Sequence, residues 1–337
     1  MRHLIHGEAF KTYPLSDRAR QFPAMLGLEE RQVLAYLAAD LASSTGKIVD
    51  LGCYLGGSTC ALTEGVRQSG VQWSPDDPPV VSYDLFITNQ FMIEHSLKDR
   101  GIGVGEPFQS VFRELLGENA AMVREVAGDI RKERWTAGPI DLLFVDILWG
   151  WDINQHVIRE FYTALIPGRS VIAHQDYIYS FYPWLPISME YFSENGYVEF
   201  GDLAKWGTVL FGVKNALTAE AAAVDFKRDL DLNTKERLLI RSAERFEGYP
   251  RALMELSRVV LLLQEERRDD ALDLFADVAE RYRDDEIAQH HVKLVIDTHK
   301  LAPSETSGRR RREPGHAATR GRTSPWSVLK RKLVGRN

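Results

Sequence analysis

Residues 48–59 read IVDLGCYLGGST, and the parsing of this stretch decides the fold. Lys47 to Leu51, KIVDL, has the apolar, β-branched character of a buried strand, and it runs directly into Gly52, Gly56 and Gly57. Ser58 and Thr59 then stand where the next helix should be capped. Glycines at such a turn let a ligand approach the backbone closely, and the helix start offers N–H groups at the positive end of its dipole. Gly56 follows Gly52 by four positions and no Gly-Lys-Ser/Thr follows. The stretch is therefore neither G-x-G-x-x-G nor a phosphate-cradling loop of the nucleotide hydrolases.

Working outward, further short apolar runs follow at 80–83, 122–126, 140–145, 170–173, 197–200 and 208–213. Segments long enough for crossover helices, such as 58–68 and 154–165, lie between the earlier ones. Strands alternating with helices predict a parallel sheet covered on both faces, and the last two runs predict an antiparallel hairpin closing its edge. Before the first strand, Leu26, Val33, Leu34, Leu37 and Leu41 recur at helical spacing over 23–46. After Asn215 the strand signals cease. Leu238, Leu253, Leu256, Val260, Leu272, Phe275 and Val278 supply apolar stripes of charged helices. Four segments are thus expected: an N-terminal helical segment (1–46), an α/β domain (47–215), a helical appendage (216–301) and a disordered tail (302–337).

Two strand ends sharpen the glycine turn. The run 80–83 ends in Asp84, where a carboxylate can accept both hydroxyls of a ribose. The run 122–126 leads to Gly128 and Asp129, a carboxylate placed to meet an adenine amino group. Open α/β sheets bind ligands at this carboxyl edge.

The order DLGCYLGGST, VVSYD, AGDI, DLLFVD and LIPGRSVIAHQDY resembles the class I S-adenosylmethionine-dependent methyltransferases. Within them it is most similar to the macrocin O-methyltransferase-like group, over about residues 30–215. The resemblance implies a Rossmann-like seven-stranded sheet, mostly parallel with an antiparallel last strand, and S-adenosylmethionine as cofactor. It implies methylation of a hydroxyl on a saccharide or small natural-product scaffold. It assigns Gly52, Cys53, Tyr54, Gly56 and Ser58 to the turn that holds the methionine end, Asp84 to the ribose, Asp129 to the adenine and Asp146 to the same pocket. Asp50 is expected to organise the turn from beneath.

Methyl transfer to a hydroxyl requires alignment and removal of a proton. Asp146, His174 and Asp176 end the fourth and fifth strands and are the catalytic candidates. His174 is the favoured base with Asp176 orienting it, and a hydrogen-bonded histidine beneath the cofactor is the competing reading. Asp152 and His156 are further proton acceptors on the next helix. In the resembled group a divalent metal sits at matching positions, so Asp146 and Asp176 would form half of a Mg2+ site. Here Leu148 and Trp149 replace the group's acidic base and metal ligand, and Gln175 replaces a carboxylate. These departures also motivate an alternative, a catalytically inactive cofactor-binding protein that serves as a partner or scaffold. The aromatic stretch 177–184, YIYSFYPW, reads either as an acceptor wall or lid, or as a surface packed against the appendage or a second subunit of a homo-oligomer.

The chain of 337 residues carries a net charge of −6, with 44% hydrophobic residues and two cysteines. Cys53 and Cys60 are too few and too close for a disulfide framework, so a reducing cytoplasm is expected. No run approaches a membrane span or a signal peptide. Residues 301–337 hold ten Lys and Arg against two acidic residues, which leaves an acidic body ill-suited to nucleic acid. The end of the tail, WSVLKRKL at 326–333, reads as solvated or as a weak contact with anionic lipid or RNA.

Overall fold

The computed structural model describes residues 1–205 and 207–301. The tail expected to be disordered, with its lipid-contact stretch, lies outside the described residues.

Seven strands form one sheet: β1 (Lys47–Leu51), β2 (Val80–Asp84), β3 (Val123–Ala127), β4 (Ile140–Val145), β5 (Val171–His174), β6 (Val198–Leu203) and β7 (Val209–Val213). Their spatial order is β3-β2-β1-β4-β5-β7-β6. The β1–β2, β1–β4, β2–β3 and β4–β5 pairs are parallel, whereas β7 runs antiparallel to both β5 and β6. This is the Rossmann-like seven-stranded sheet expected, with β7 its reversed strand. The order switches direction at β1 and β4, so the ends of β1, β2 and β4 border the crevice where ligands bind such sheets.

Alternation along the strands divides the core. Ile48, Leu142, Phe144, Val171 and Ala173 face a cluster closed by the helices α1 (Leu28–Leu41) and α2 (Gly57–Ser69). Val49, Leu51, Leu143, Val145 and Ile172 face the other cluster, under α3 (Trp151–Phe161) and α4 (Trp184–Glu194). Fully burying each such aliphatic side chain contributes roughly 1.5–3 kcal/mol. A one-residue slip would send each side chain to the opposite core, so the alternation also dictates the face taken by every polar residue at a strand end.

The first long helix begins at Leu28, later than the 23–46 pattern predicted. Pro23 and Gly27 hold the entry non-helical, and Glu30 accepts the Gly27 N–H at 2.8 Å, closing the helix start. The appendage consists of α5 (Leu232–Glu244), α6 (Gly248–Gln264), α7 (Arg268–Arg281) and α8 (Glu286–His299). Its first two helices send Leu238, Leu239, Leu253 and Met254 into the sheet's second core. Glu190 on α4, wholly buried, accepts from Arg245 Nη2 at 2.8 Å and lies 3.1 Å from Arg241 Nε. Among the described residues, no helix is long and apolar enough to cross a membrane.

Candidate functional site

The turn between β1 and α2 is built by the residues that mark it in the sequence. Gly52 has φ +94°, and a Cβ there would lie 2.4 Å from the Asp146 carbonyl oxygen. The N–H groups of Gly52 and Cys53 donate to Tyr83 O at 2.9 and 3.2 Å, which fastens the turn to the end of β2. Tyr54 takes φ +49°, and its N–H donates to Asp84 Oδ2 at 2.9 Å. Gly56, at φ +97°, precedes the first turn of α2. The chain thus wraps around a carboxylate at the neighbouring strand tip. Phe86 N–H donates to Asp84 Oδ1 at 2.9 Å and the Leu85 N–H also bonds the carboxylate, so three backbone donors fix its orientation at the strand tip. Burial pushes the Asp84 carboxyl above its usual range.

Beneath the turn, Asp50 is wholly buried. It accepts from Ser58 Oγ at 2.9 Å and from Thr59 Oγ1 at 2.5 Å. Burial raises its carboxyl to about 6, against the pull of these hydroxyls. The Ser58 hydroxyl assigned to the cofactor therefore serves the turn's foundation. Cys53 is 1% exposed and burial drives its thiol well above the ordinary value, which makes it a packing residue and no nucleophile.

Asp129 follows β3 as expected, but it is engaged. Arg131 Nε donates to its Oδ1 at 2.9 Å and Nη2 to its Oδ2 at 2.8 Å, and the hydrogen bonds from Arg131 draw the carboxyl down to about 2. The same guanidinium reaches Asp152 Oδ2 at 3.0 Å. Sequence reading missed Arg131; the signal was an arginine two places after the acid, with a second acid at the start of the following helix.

The acceptor side requires two corrections. His174 pairs with Val145 across β4 and β5, and the alternation of β5 turns its ring into the second core. It is wholly buried, shares a hydrogen bond between Nε2 and the Tyr162 hydroxyl, and has Phe211 at 5.9 Å between ring centroids. Burial lowers its pKa to about 3. A base must touch its substrate and hold a proton near working pH, so His174 is a core histidine and not the base. The aromatic stretch is likewise internal. Tyr177 and Tyr179 are buried, Tyr177 Oη lies 3.1 Å from Ser242 Oγ, and Ser180 Oγ lies 3.0 Å from His291 Nδ1. It packs against the appendage and forms no acceptor wall. Of the aromatic residues between Trp149 and Phe192, Trp149 alone is exposed, at 64%.

Asp146 and Asp176 remain at the ends of β4 and β5, both partly buried. Asp146 N–H donates to Leu51 O at 2.8 Å, which sets it beside the glycine turn. Asp176 takes φ +58° and receives Gln175 Nε2 at 3.2 Å. Gln175 in turn meets Thr208, whose hydroxyl donates to buried Glu30 at 3.0 Å. Among the described residues no group of three or more His, Cys, Asp or Glu side chains could hold a metal ion. Two carboxylates and a committed amide are a poor donor set for a cation that takes six or more oxygens. The Mg2+ expectation does not fit these residues, and no step below runs through a metal.

No protein-family model matches the chain, and no curated protein matches its sequence. Among solved structures it is similar to cofactor-bound Rv0187 from MTB, at 18% identity over 58% of this chain and 86% of the other, with a TM-score of 0.39. It is similar to the calicheamicin methyltransferase CalS11 at 15% identity over 54% and 77%, also with a TM-score of 0.39. An SAH-bound methyltransferase from Podospora anserina aligns at 16% identity over 60% and 89%, with a TM-score of 0.34.

Proposed function

We propose that this protein is an S-adenosylmethionine-dependent methyltransferase that methylates a hydroxyl of a saccharide or small natural-product scaffold. The observation that carries the reading is the glycine turn wrapped on Asp84 at the crevice of a β3-β2-β1-β4-β5-β7-β6 sheet. Asp84, oriented by backbone N–H groups at the tip of β2, is the carboxylate that would accept from the hydroxyls of a ribose. Gly52 and Gly56, with the start of α2, would accommodate the methionine end, and Asp129 would accept from the adenine amino group with an oxygen lone pair that the Arg131 donors release. The sulfonium supplies an activated methyl group, so the chain must orient the acceptor and remove one proton. With His174 in the core, Asp176 is the acid best placed for that proton, and Asp146 would align the acceptor beside the turn. Exposed Trp149, three residues past Asp146, offers a flat apolar face of the kind sugars and planar scaffolds pack against.

Incubation with methyl-labelled S-adenosylmethionine and a panel of sugars and phenols tests this. Label should appear on free hydroxyls and vanish when the hydroxyl is blocked as an ether. Asp176→Asn should lower kcat by roughly 100-fold or more while S-adenosylhomocysteine affinity stays within about twofold. Label found only on nitrogen or carbon acceptors, or an unimpaired Asp176→Asn variant, would refute the hydroxyl reading.

A further inference from the structure

A second concavity lies on the far side of Arg131. It has a volume of about 310 Å3, and Arg131, Lys132, Arg134 and Arg159 line it together with Glu133, Glu160 and His156. Every one of these side chains is ionisable, unlike the mostly apolar lining of ordinary small-molecule pockets. Four permanent cations face two carboxylates, on a body that is otherwise acidic. Arg131 is neutralised from outside the cavity by Asp129 and Asp152. Among the described residues Lys132, Arg134 and Arg159 have no ion-pair partner within 4.0 Å, and Glu133 and Glu160 pair with none of them. His156 Nε2 lies 2.9 Å from the Glu133 carbonyl, an arrangement that satisfies one ring nitrogen as donor and ties α3 to the loop carrying the cations.

Lys132, Arg134 and Arg159 are exposed, so solvent screens their mutual repulsion, but three cations with no ion-pair partner around one hollow can each turn to a bound anion. Arginine forks match the tetrahedral oxygens of phosphate, and lysine adds a point charge. We propose that this cavity is an anion site for a phosphate group, either free phosphate or the phosphate of a small monoester. The site is distinct from the cofactor crevice and does not depend on the methyltransferase reading. It adjoins that crevice through Arg131, whose guanidinium pairs with Asp129 and Asp152, and through His156 on α3.

Calorimetric titration of the full chain with inorganic phosphate and, separately, with glucose 6-phosphate tests the site. Saturable binding with Kd at or below ~1 mM that weakens with added NaCl is expected. Tighter binding of the monoester would identify a phosphorylated small molecule as the occupant, and tighter binding of phosphate alone would identify the free ion. The double variant Lys132→Gln/Arg159→Gln should weaken binding at least 10-fold with an unchanged circular dichroism spectrum. Glu160→Gln, which removes a negative charge from the lining, should tighten it several-fold, and this arm retains its meaning if the double variant misfolds. No saturable heat with either probe, or binding indifferent to both sets of substitutions, would overturn the proposal. Cofactor binding measured on the same samples keeps the two outcomes separate, because the phosphate site can fail while S-adenosylhomocysteine still binds.

Discussion

Asp50 and His174 are both wholly buried, and their protonation runs in opposite directions. Asp50 is raised to about 6, so the folded chain holds its proton more tightly than the unfolded chain does. Its contribution to stability is full below the unfolded value of 3.8 and is lost as pH rises through about 6. The stability difference between wild type and Asp50→Asn should therefore shrink from pH 4 to pH 7 by on the order of 2–3 kcal/mol. Denaturant melts at the two pH values measure it, and a pH-independent difference would contradict the assignment. His174 is lowered to about 3; its contribution is full above 6.5 and is lost as pH falls toward 3. His174→Ala should lower the melting temperature, since it removes the partner of the Tyr162 hydroxyl. It should leave the pH dependence of methyl transfer in place, and a displaced rate profile would restore His174 as the base.

At the scale of elements, Glu190 holds the appendage to the α/β body. Its carboxylate is wholly buried between Arg241 and Arg245, so Glu190→Gln leaves Arg245 short of its counter-charge, while Arg241 keeps Glu194 at 2.8 Å. A loss of about 1–2 kcal/mol is expected, below the penalty for breaking a fully buried pair because both arginines keep access to water; chemical denaturation measures it, and a change within ~0.5 kcal/mol would show that the docking rests on apolar contacts alone. The first four strands were legible in the sequence because each is a short run that ends at a glycine or aspartate, namely Gly52, Asp84, Gly128 and Asp146. The partners of the site were less so. His174 reads as catalytic by position, yet it alternates with Ala173 and Gln175 and so takes the face opposite to them. Period-2 register applied to SVIAHQDY would have revealed this. The fate of the stretch 177–184 depended on where the appendage docks, a long-range contact that no local pattern encodes. The same holds for the link from Asp176 through Gln175 and Thr208 to Glu30, which joins residues some 180 positions apart.

Taken whole, the molecule is one sheet with two unequal coverings, and the carboxylates proposed for the site lie at its carboxyl edge. The core on the α1 and α2 side supports the glycine turn through Asp50, and the other core absorbs His174 and, with the appendage, the aromatic stretch that the sequence leaves open between an acceptor wall and a packed surface. What remains at the edge is a set of carboxylates, Asp84, Asp129, Asp146 and Asp176, around a turn that closes on one of them. The central claim is that Asp84 and its turn form the ribose clasp of S-adenosylmethionine. Calorimetric titration of the full chain with S-adenosylhomocysteine, beside the Asp84→Ala variant, tests it most directly. The expected result is one site per chain in the wild type and at least a 30-fold weaker Kd in the variant, a loss of about 2 kcal/mol, the size of one charge-assisted hydrogen bond. No binding by the intact protein, or equal affinity in a folded Asp84→Ala variant, would contradict the account.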